Sequence, residues 1–288
     1  MRILITGSNN YIAKDLIELF GKNKKIQIIG SSNRKKPLIY NKYKNIKLIK
    51  IDLKKKIKPL KKINILIHCA SATPYKKYTN LEYQKINILG FKKILKSVNT
   101  GNLSHIILFS TVSVYGKIRK KKLKEDHPLN GNSEYAKSKK KMEIELSKFC
   151  KKNKLNGLTL RFPGILGKEK NDNNFLSTLI KNIYENREFK IFGLDNFFNN
   201  MIGTNDIYKI ITKFLKTNPQ QNQIFNCSIS EKKRISEIIK IIENIMKKKA
   251  KFTIEDKISN YFTIDNRKLL KSGYKVSKIK TTLTNILK

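Results

Sequence analysis

The first thirteen residues constrain the fold more tightly than any other stretch. Arg2-Ile3-Leu4-Ile5-Thr6 is a short, strand-forming apolar run. It passes through Gly7-Ser8-Asn9-Asn10 into Tyr11-Ile12-Ala13, where an amphipathic pattern begins that continues to Phe20. A strand that turns directly into a helix is the first half of a βαβ unit, the building block of a parallel sheet. The turn also has the form needed to bind a dinucleotide, with helix N-terminal amides facing a pyrophosphate. Gly7 fits the first small position of such a turn. Ala13 fits the third, where a small side chain lets helix pack on strand. Asn10 stands at the second, and asparagine tolerates left-handed backbone better than most residues, so the turn survives the exchange.

The same alternation runs on. Strands are predicted at 2–6, 27–29, 46–51, 63–69, 105–110 and 157–161, with helices between them, among them 12–20, 83–97 and 135–151. The expected class is α/β, a doubly wound parallel Rossmann sheet. The rhythm weakens after about Gly167, which places a Rossmann domain at 1–166. A smaller, mainly substrate-binding region follows at 167–288, with a late segment returning to the first domain.

Charge and cysteines narrow the class. The formal net charge is +42, yet only seven of the 63 basic residues are arginine, and the lysines are scattered from Lys14 to Lys288. That distribution reads as compositional drift onto solvated faces, with no specific nucleic-acid surface; loose, salt-sensitive sticking is all it implies. Cys69, Cys150 and Cys227 are far apart, odd in number and without metal-ligand spacing, so neither a disulfide framework nor a metal site is expected. No apolar run reaches the roughly 18 residues of a membrane span. The expected location is the cytoplasm.

Further segments, in order, carry a resemblance. Asp52-Leu53 follows the third strand. His68-Cys69-Ala70-Ser71-Ala72 ends the fourth. Asn87-Ile88-Leu89-Gly90 lies on a helix, Ser110-Thr111-Val112-Ser113 ends the fifth strand, and Tyr135-Ala136-Lys137-Ser138-Lys139 begins a helix. Leu160-Arg161-Phe162-Pro163-Gly164 follows. With Thr6-Gly7 and Ile12-Ala13, this series resembles the extended short-chain dehydrogenase/reductases of the NAD-dependent epimerase/dehydratase group. The resemblance implies a nicotinamide dinucleotide held by Gly7, Asn9, Asn10, Tyr11, Ile12, Asp52, Leu53, Cys69, Ala70, Ser71, Asn87, Phe162 and Pro163, together with Tyr135 and Lys139. It implies a nucleotide-sugar substrate near Ser113, Gly164, Asn174 and Asn199, and a homodimer is compatible with it.

Tyr-x-x-x-Lys is a weak pattern in so lysine-rich a chain; Tyr40/Lys44, Tyr43/Lys47 and Tyr274/Lys278 also satisfy it. Context singles out Tyr135, which opens a helix 24 residues after Thr111 and has Lys139 one turn on. Hydride transfer at an oxygen-bearing carbon requires a matching proton transfer. A tyrosine, ordinarily with pKa ~10, would need about 4 kcal/mol of differential interaction to fall by roughly three units. Thr111, Tyr135 and Lys139 are therefore the expected catalytic set, with Tyr135 as acid/base, Lys139 tuning it and Thr111 donating to the reacting oxygen. His68 reads as a packed strand-end residue.

Departures from the family pattern refine the expectation. Val112 and Ser113 replace the Asp-Glu that dehydratases carry, so 4,6-dehydration is disfavoured. Asn199 replaces a diphosphate-binding arginine and Gly164 an asparagine. The second strand ends without an acid to hold a ribose 2′-hydroxyl, and Arg34 follows it, which favours NADP over NAD. The expected reaction is reduction of a nucleotide-linked keto-sugar. The alternatives are 4-epimerisation or, without catalysis, a dinucleotide-binding regulator.

Overall fold

The computed structural model describes residues 1–33, 43–168, 174–217, 222–255 and 261–287. In chain order come β1 (Arg2–Thr6), α1 (Tyr11–Gly21), β2 (Gln27–Ser32), β3 (Ile46–Lys50), β4 (Ile65–His68) and α2 (Asn80–Tyr83). A π-helical turn (Gln84–Leu89) leads into α3 (Gly90–Ser97), β5 (His105–Thr111), β6 (Lys122–Leu123), α4 (Glu134–Asn153) and β7 (Asn156–Phe162). Next are β8 (Gly164–Leu166), α5 (Phe175–Tyr184), β9 (Glu188–Phe192), β10 (Phe197–Phe198), β11 (Met201–Gly203), α6 (Thr204–Phe214) and β12 (Gln223–Asn226). The chain closes with β13 (Lys233–Arg234), α7 (Ile235–Met246), β14 (Lys251–Glu255), β15 (Thr263–Ile264), α8 (Arg267–Lys271) and α9 (Ile279–Leu287).

Seven strands form a parallel sheet in the order β12-β7-β5-β4-β1-β2-β3. β4 is buried at every position and β5 at all but His105, as expected of central parallel strands covered on both faces. Ile3 lies opposite Ile28 on one side and Ile65 on the other, which fixes the register at the centre. The strand order reverses beside β1: one neighbour is β2, the other β4. Ligands of open α/β sheets bind at such a reversal, beyond the carboxyl ends of the strands.

By its contacts the chain forms two compact units, and the division is not a single cut. One comprises Met1–Gly116, Pro128–Arg161 and Ile211–Ile224; the other comprises Lys117–His127, Phe162–Ile210 and Phe225–Lys288. The first packs Leu4, Leu66, Phe91, Ile94, Ile106, Leu108, Met142 and Leu146 between sheet and helices. The second has its own core, including Leu166, Leu179, Ile180, Ile238, Ile242 and Leu283. It carries four two-stranded pairings, β6–β15, β8–β11, β9–β14 and β10–β13. Each such aliphatic side chain, once fully buried, contributes about 1.5–3 kcal/mol. Among the described residues no helix is long and apolar enough to cross a membrane.

Candidate active site

Gly7 ends the first strand with φ +75, a backbone that side-chain-bearing residues avoid. A Cβ there would sit 2.8 Å from Ala70 Cα and 2.9 Å from Ala70 N. The glycine thus opens a cradle between the carboxyl ends of β1 and β4, at the strand-order reversal. The turn differs from expectation at Asn10. Its φ is −83 and its ψ 150, so it is extended, not left-handed. It serves instead as the N-cap of α1: its Oδ1 accepts from Ala13 N at 2.8 Å, and its Nδ2 donates to the Cys69 carbonyl at 3.4 Å. The first turn of α1 holds no acidic residue, so its positive end meets an anion without a competing carboxylate. Asn9, Tyr11 and Ile12 lie in this same turn and helix start. The cradle fits a dinucleotide pyrophosphate. Gly7→Ala is expected to cost about 1–3 kcal/mol through strain and to weaken dinucleotide binding about tenfold or more, a loss of about 1.4 kcal/mol or more. Thermal unfolding and a fluorescence titration check the two effects.

The carboxyl ends of β4 and β5 meet the start of α4. Ser133 caps α4 by accepting from Ala136 N at 3.2 Å, which puts Tyr135 in the first turn and Lys139 one turn further. The Tyr135 phenol lies near enough to the Thr111 side chain for Thr111 to act on it. Thr111 also orders the strand end, accepting from Ser113 N and donating to Ser113 Oγ, each at 3.1 Å. Burial raises the Tyr135 phenol above its ordinary range. Thr111 acts against this, and Tyr75 and Tyr83 act with it. Tyr83 lies against Tyr135 with ring centroids 6.2 Å apart, and Tyr78 against Tyr83 at 5.8 Å.

Lys139 is 3% exposed and donates from Nζ to the Phe109 carbonyl at 2.6 Å. Burial lowers its ammonium to about 8, while Cys69 and Glu143 act to raise it. His68 is fully buried, with Nδ1 2.9 Å from Thr6 Oγ1 and its ring 4.7 Å from that of Phe91. Burial, aided by the Lys139 charge, lowers its imidazole to about 3, so it is a neutral packing residue. Burial pushes the Cys69 thiol up, away from the reactive thiolate form.

Other expected contact residues are placed differently. Asn87 is fully buried, and its amide is used within the protein. Oδ1 accepts from Ala72 N (2.7 Å) and Ser71 Oγ (3.1 Å), and Nδ2 donates to Ala72 O (3.1 Å) and Ser138 Oγ (2.9 Å). It braces the loop after β4 against α4 and supports Ser71. Its place in a π-helical turn suits that brace. Asn199, 6% exposed, is likewise drawn inward. It accepts from Ile264 N at 2.8 Å and donates to Ile264 O at 2.8 Å and Ser228 Oγ at 3.3 Å, so it ties chain segments together. Asn174 caps α5 through Ser177 N at 3.0 Å, beside Gly164. Asp52 Oδ1 accepts from Lys54 N at 2.9 Å, Leu53 abuts Gly90, and Ala70 N donates to Thr6 Oγ1 at 3.2 Å. Ser113 is exposed and Phe162 buried, with Pro163 between those extremes. Arg34 lies outside the described residues. Among the described residues no group of three or more His, Cys, Asp or Glu side chains could hold a metal ion.

Residues 3–228 match the model of the NAD dependent epimerase/dehydratase family. The chain belongs to that family. It is similar to GDP-6-deoxy-D-talose 4-dehydrogenase of Aggregatibacter actinomycetemcomitans, 24% identical over 75% of this chain and 72% of that one. It is also similar to ADP-L-glycero-D-manno-heptose-6-epimerase of Brachyspira hyodysenteriae, 28% identical over 61% of each. Among solved structures, UDP-glucuronic acid 4-epimerase of Bacillus cereus in complex with NAD superposes with a TM-score of 0.82. It is 20% identical, over 100% of this chain and 95% of that one, a likeness of fold.

Within this family fold, four residues behind the site had no role assigned from the sequence: Ser110, Tyr115, Glu143 and Arg161. Glu143 follows Lys139 by one helical turn, and Arg161 is one of few arginines in a lysine-rich chain; those were the available signals. Tyr75, Tyr78 and Tyr83 were also passed over, because nothing local marks which aromatics will gather around Tyr135.

Proposed function

We propose that this member of the family is an NAD(P)-dependent oxidoreductase of nucleotide-linked sugars, with Tyr135 as the acid/base. The observation that carries the reading is the placement of Thr111 at the end of β5 and Tyr135 in the first turn of α4, where Thr111 acts on the phenol, with Lys139 buried one turn further on. When bound, the reduced nicotinamide supplies hydride. Thr111 orients the reacting oxygen by hydrogen bonding, and Tyr135 gives that oxygen a proton through its phenol. Lys139, protonated below about pH 8, offers N–H donors to a ribose. Burial keeps the phenol protonated, which suits a proton donor and hence reduction of a ketone. The inward turn of Asn199 removes a polar contact on the substrate side, consistent with weaker diphosphate anchoring than an epimerase needs.

The second reading is 4-epimerisation through a transient ketone, favoured by the NAD-bound 4-epimerases that share the fold. The relative named as a 4-dehydrogenase favours net redox chemistry instead. The separating assay follows NADPH oxidation against a panel of 4-keto nucleotide sugars, beside epimer exchange without added reductant. Reduction is expected; exchange without net NADPH oxidation overturns it in favour of epimerisation.

NADP over NAD remains our proposal for the cofactor. β2 ends Gly30-Ser31-Ser32 with no carboxylate, and Arg34 follows two residues later. Arg34→Ala is expected to lower the preference for NADPH over NADH, read as the ratio of dissociation constants. A ratio unchanged from wild type removes Arg34 from the argument.

A further inference from the structure

A buried polar network lies behind Thr111 and Lys139, and no step above uses it. Glu143 on α4 is 6% exposed and Arg161 on β7 is 3% exposed. Arg161 donates from Nε to Glu143 Oε1 at 3.1 Å and from Nη2 to Oε2 at 2.7 Å, a two-pronged ion pair. Ser110 donates its hydroxyl to Glu143 Oε1. Arg161 Nη1 donates to the Tyr115 hydroxyl at 2.7 Å, and the guanidinium carbon lies 4.9 Å from that ring's centre. Burial works against the Arg161 charge, and Glu143 and Tyr115 more than offset it.

The network touches each carrier of the candidate site. Ser110 immediately precedes Thr111, Glu143 is one helical turn beyond Lys139 on the same face, and Arg161 immediately precedes Phe162 and Pro163. Stability alone gives no reason for this arrangement, since well-packed apolar residues of similar volume are often as stabilising as a buried ion pair. A lysine could not replace Arg161, because only the planar guanidinium grips both carboxylate oxygens and a phenol at once. Among the described residues, the groups acting with or upon the Lys139 ammonium are His68 and Cys69 from the end of β4 and Glu143 from α4. The Phe109 carbonyl of β5 accepts from Nζ. Of these only Glu143 is a carboxylate, and Arg161 grips both of its oxygens.

We propose that Glu143 is a positioning residue for Lys139: gripped by Ser110 and Arg161, it locks α4 to the ends of β5 and β7 and places a fixed counter-charge beside the buried ammonium. The inference deepens the functional reading above and rests on it only for the consequence in turnover.

The test is a side-chain nitrogen NMR titration of Lys139 in the full chain without ligand, the resonance being assigned by its loss in Lys139→Met. Glu143→Gln leaves the Arg161 charge uncompensated and is expected to lower the Lys139 midpoint by about one pH unit or more, a tenfold change in proton affinity. Glu143→Leu combined with Arg161→Met removes both charges and replaces the pair with apolar volume, a change that buried pairs tolerate better than loss of one partner. It is expected to lower the midpoint by roughly half as much, and it decides the question if Glu143→Gln does not fold. A midpoint within about 0.3 of wild type in the folded variants overturns the proposal, even if melting temperature or kcat falls, because a merely structural brace would do no more. The alkaline limb of kcat against pH should follow the midpoint down. A midpoint that moves while the limb stays in place supports the placement of Glu143 and overturns the role of Lys139 in turnover.

Discussion

Replacing Tyr135 with phenylalanine is expected to lower kcat by a factor on the order of 10² to 10⁴, the range for losing a general acid/base. Dinucleotide affinity should change by less than about twofold, well under the 1.4 kcal/mol of a tenfold effect. The reason lies in what phenylalanine keeps. Its ring can still occupy the place against Tyr83, 6.2 Å between centroids, so the start of α4 retains its packing. The cradle at Gly7 is formed by different elements and is untouched. What disappears is the phenol on which Thr111 acts. Thr111 keeps both of its contacts to Ser113, so its orientation survives. Steady-state kinetics on whichever sugar proves active, with a parallel cofactor titration, separates the cases. Full turnover in Tyr135→Phe would sink the mechanism. A large loss of cofactor affinity would show that the hydroxyl serves binding instead.

The parts of this site that sequence made legible are those set by local backbone requirements. The run Arg2–Thr6 is β1 at its predicted bounds, and Gly7 adopts the positive φ that a tight turn demands. Helix α4 begins one residue before Tyr135 because Ser133 caps it, a signal within three residues of the site. Asparagines were harder to read. Position in a motif identified Asn10, Asn87 and Asn199, but the partner of an amide is decided by tertiary neighbours. Asn10 caps its own helix, and Asn87 reaches Ser138, 51 residues away. Asn199 reaches Ile264, 65 residues away. Sequence spacing carries almost no information about such contacts. The Glu143–Arg161 pair shows the same limit: the helical offset from Lys139 could be counted, whereas the strand that supplies the guanidinium could not.

Lys139→Met is expected to stabilise the ligand-free protein while lowering turnover by about 10²-fold or more, the lower bound for disabling acid/base chemistry. The sign follows from the titration of the ammonium. Burial lowers its pKa from 10.5 to about 8 in the folded state. Below pH 8 the lysine is charged in both states, and the full penalty of burying that charge is present. Between about 8 and 10.5 the unfolded chain binds more protons than the folded one, so stability rises with pH and the penalty is relieved. A displacement of this size corresponds to about 3 kcal/mol. Methionine removes the charge and keeps an unbranched apolar stem. It also leaves the Phe109 carbonyl without the Nζ donor, which offsets about 1–2 kcal/mol of the gain. A net stabilisation of about 1–2 kcal/mol at pH 7 remains; relative to wild type it should vanish near pH ~9 and turn into a deficit of about 1 kcal/mol by pH ~10, where the wild-type amine is largely neutral in the folded state and keeps its bond to the Phe109 carbonyl. Urea midpoints for the two proteins at pH 7 and pH 10 measure this directly, since the many other lysines titrate alike in both. A variant less stable than wild type at pH 7 would mean that the ammonium is held by more than the Phe109 carbonyl, Cys69 and Glu143. A stabilised but inactive variant would mark Lys139 as a charge kept in the core for the site's chemistry, at the expense of the fold.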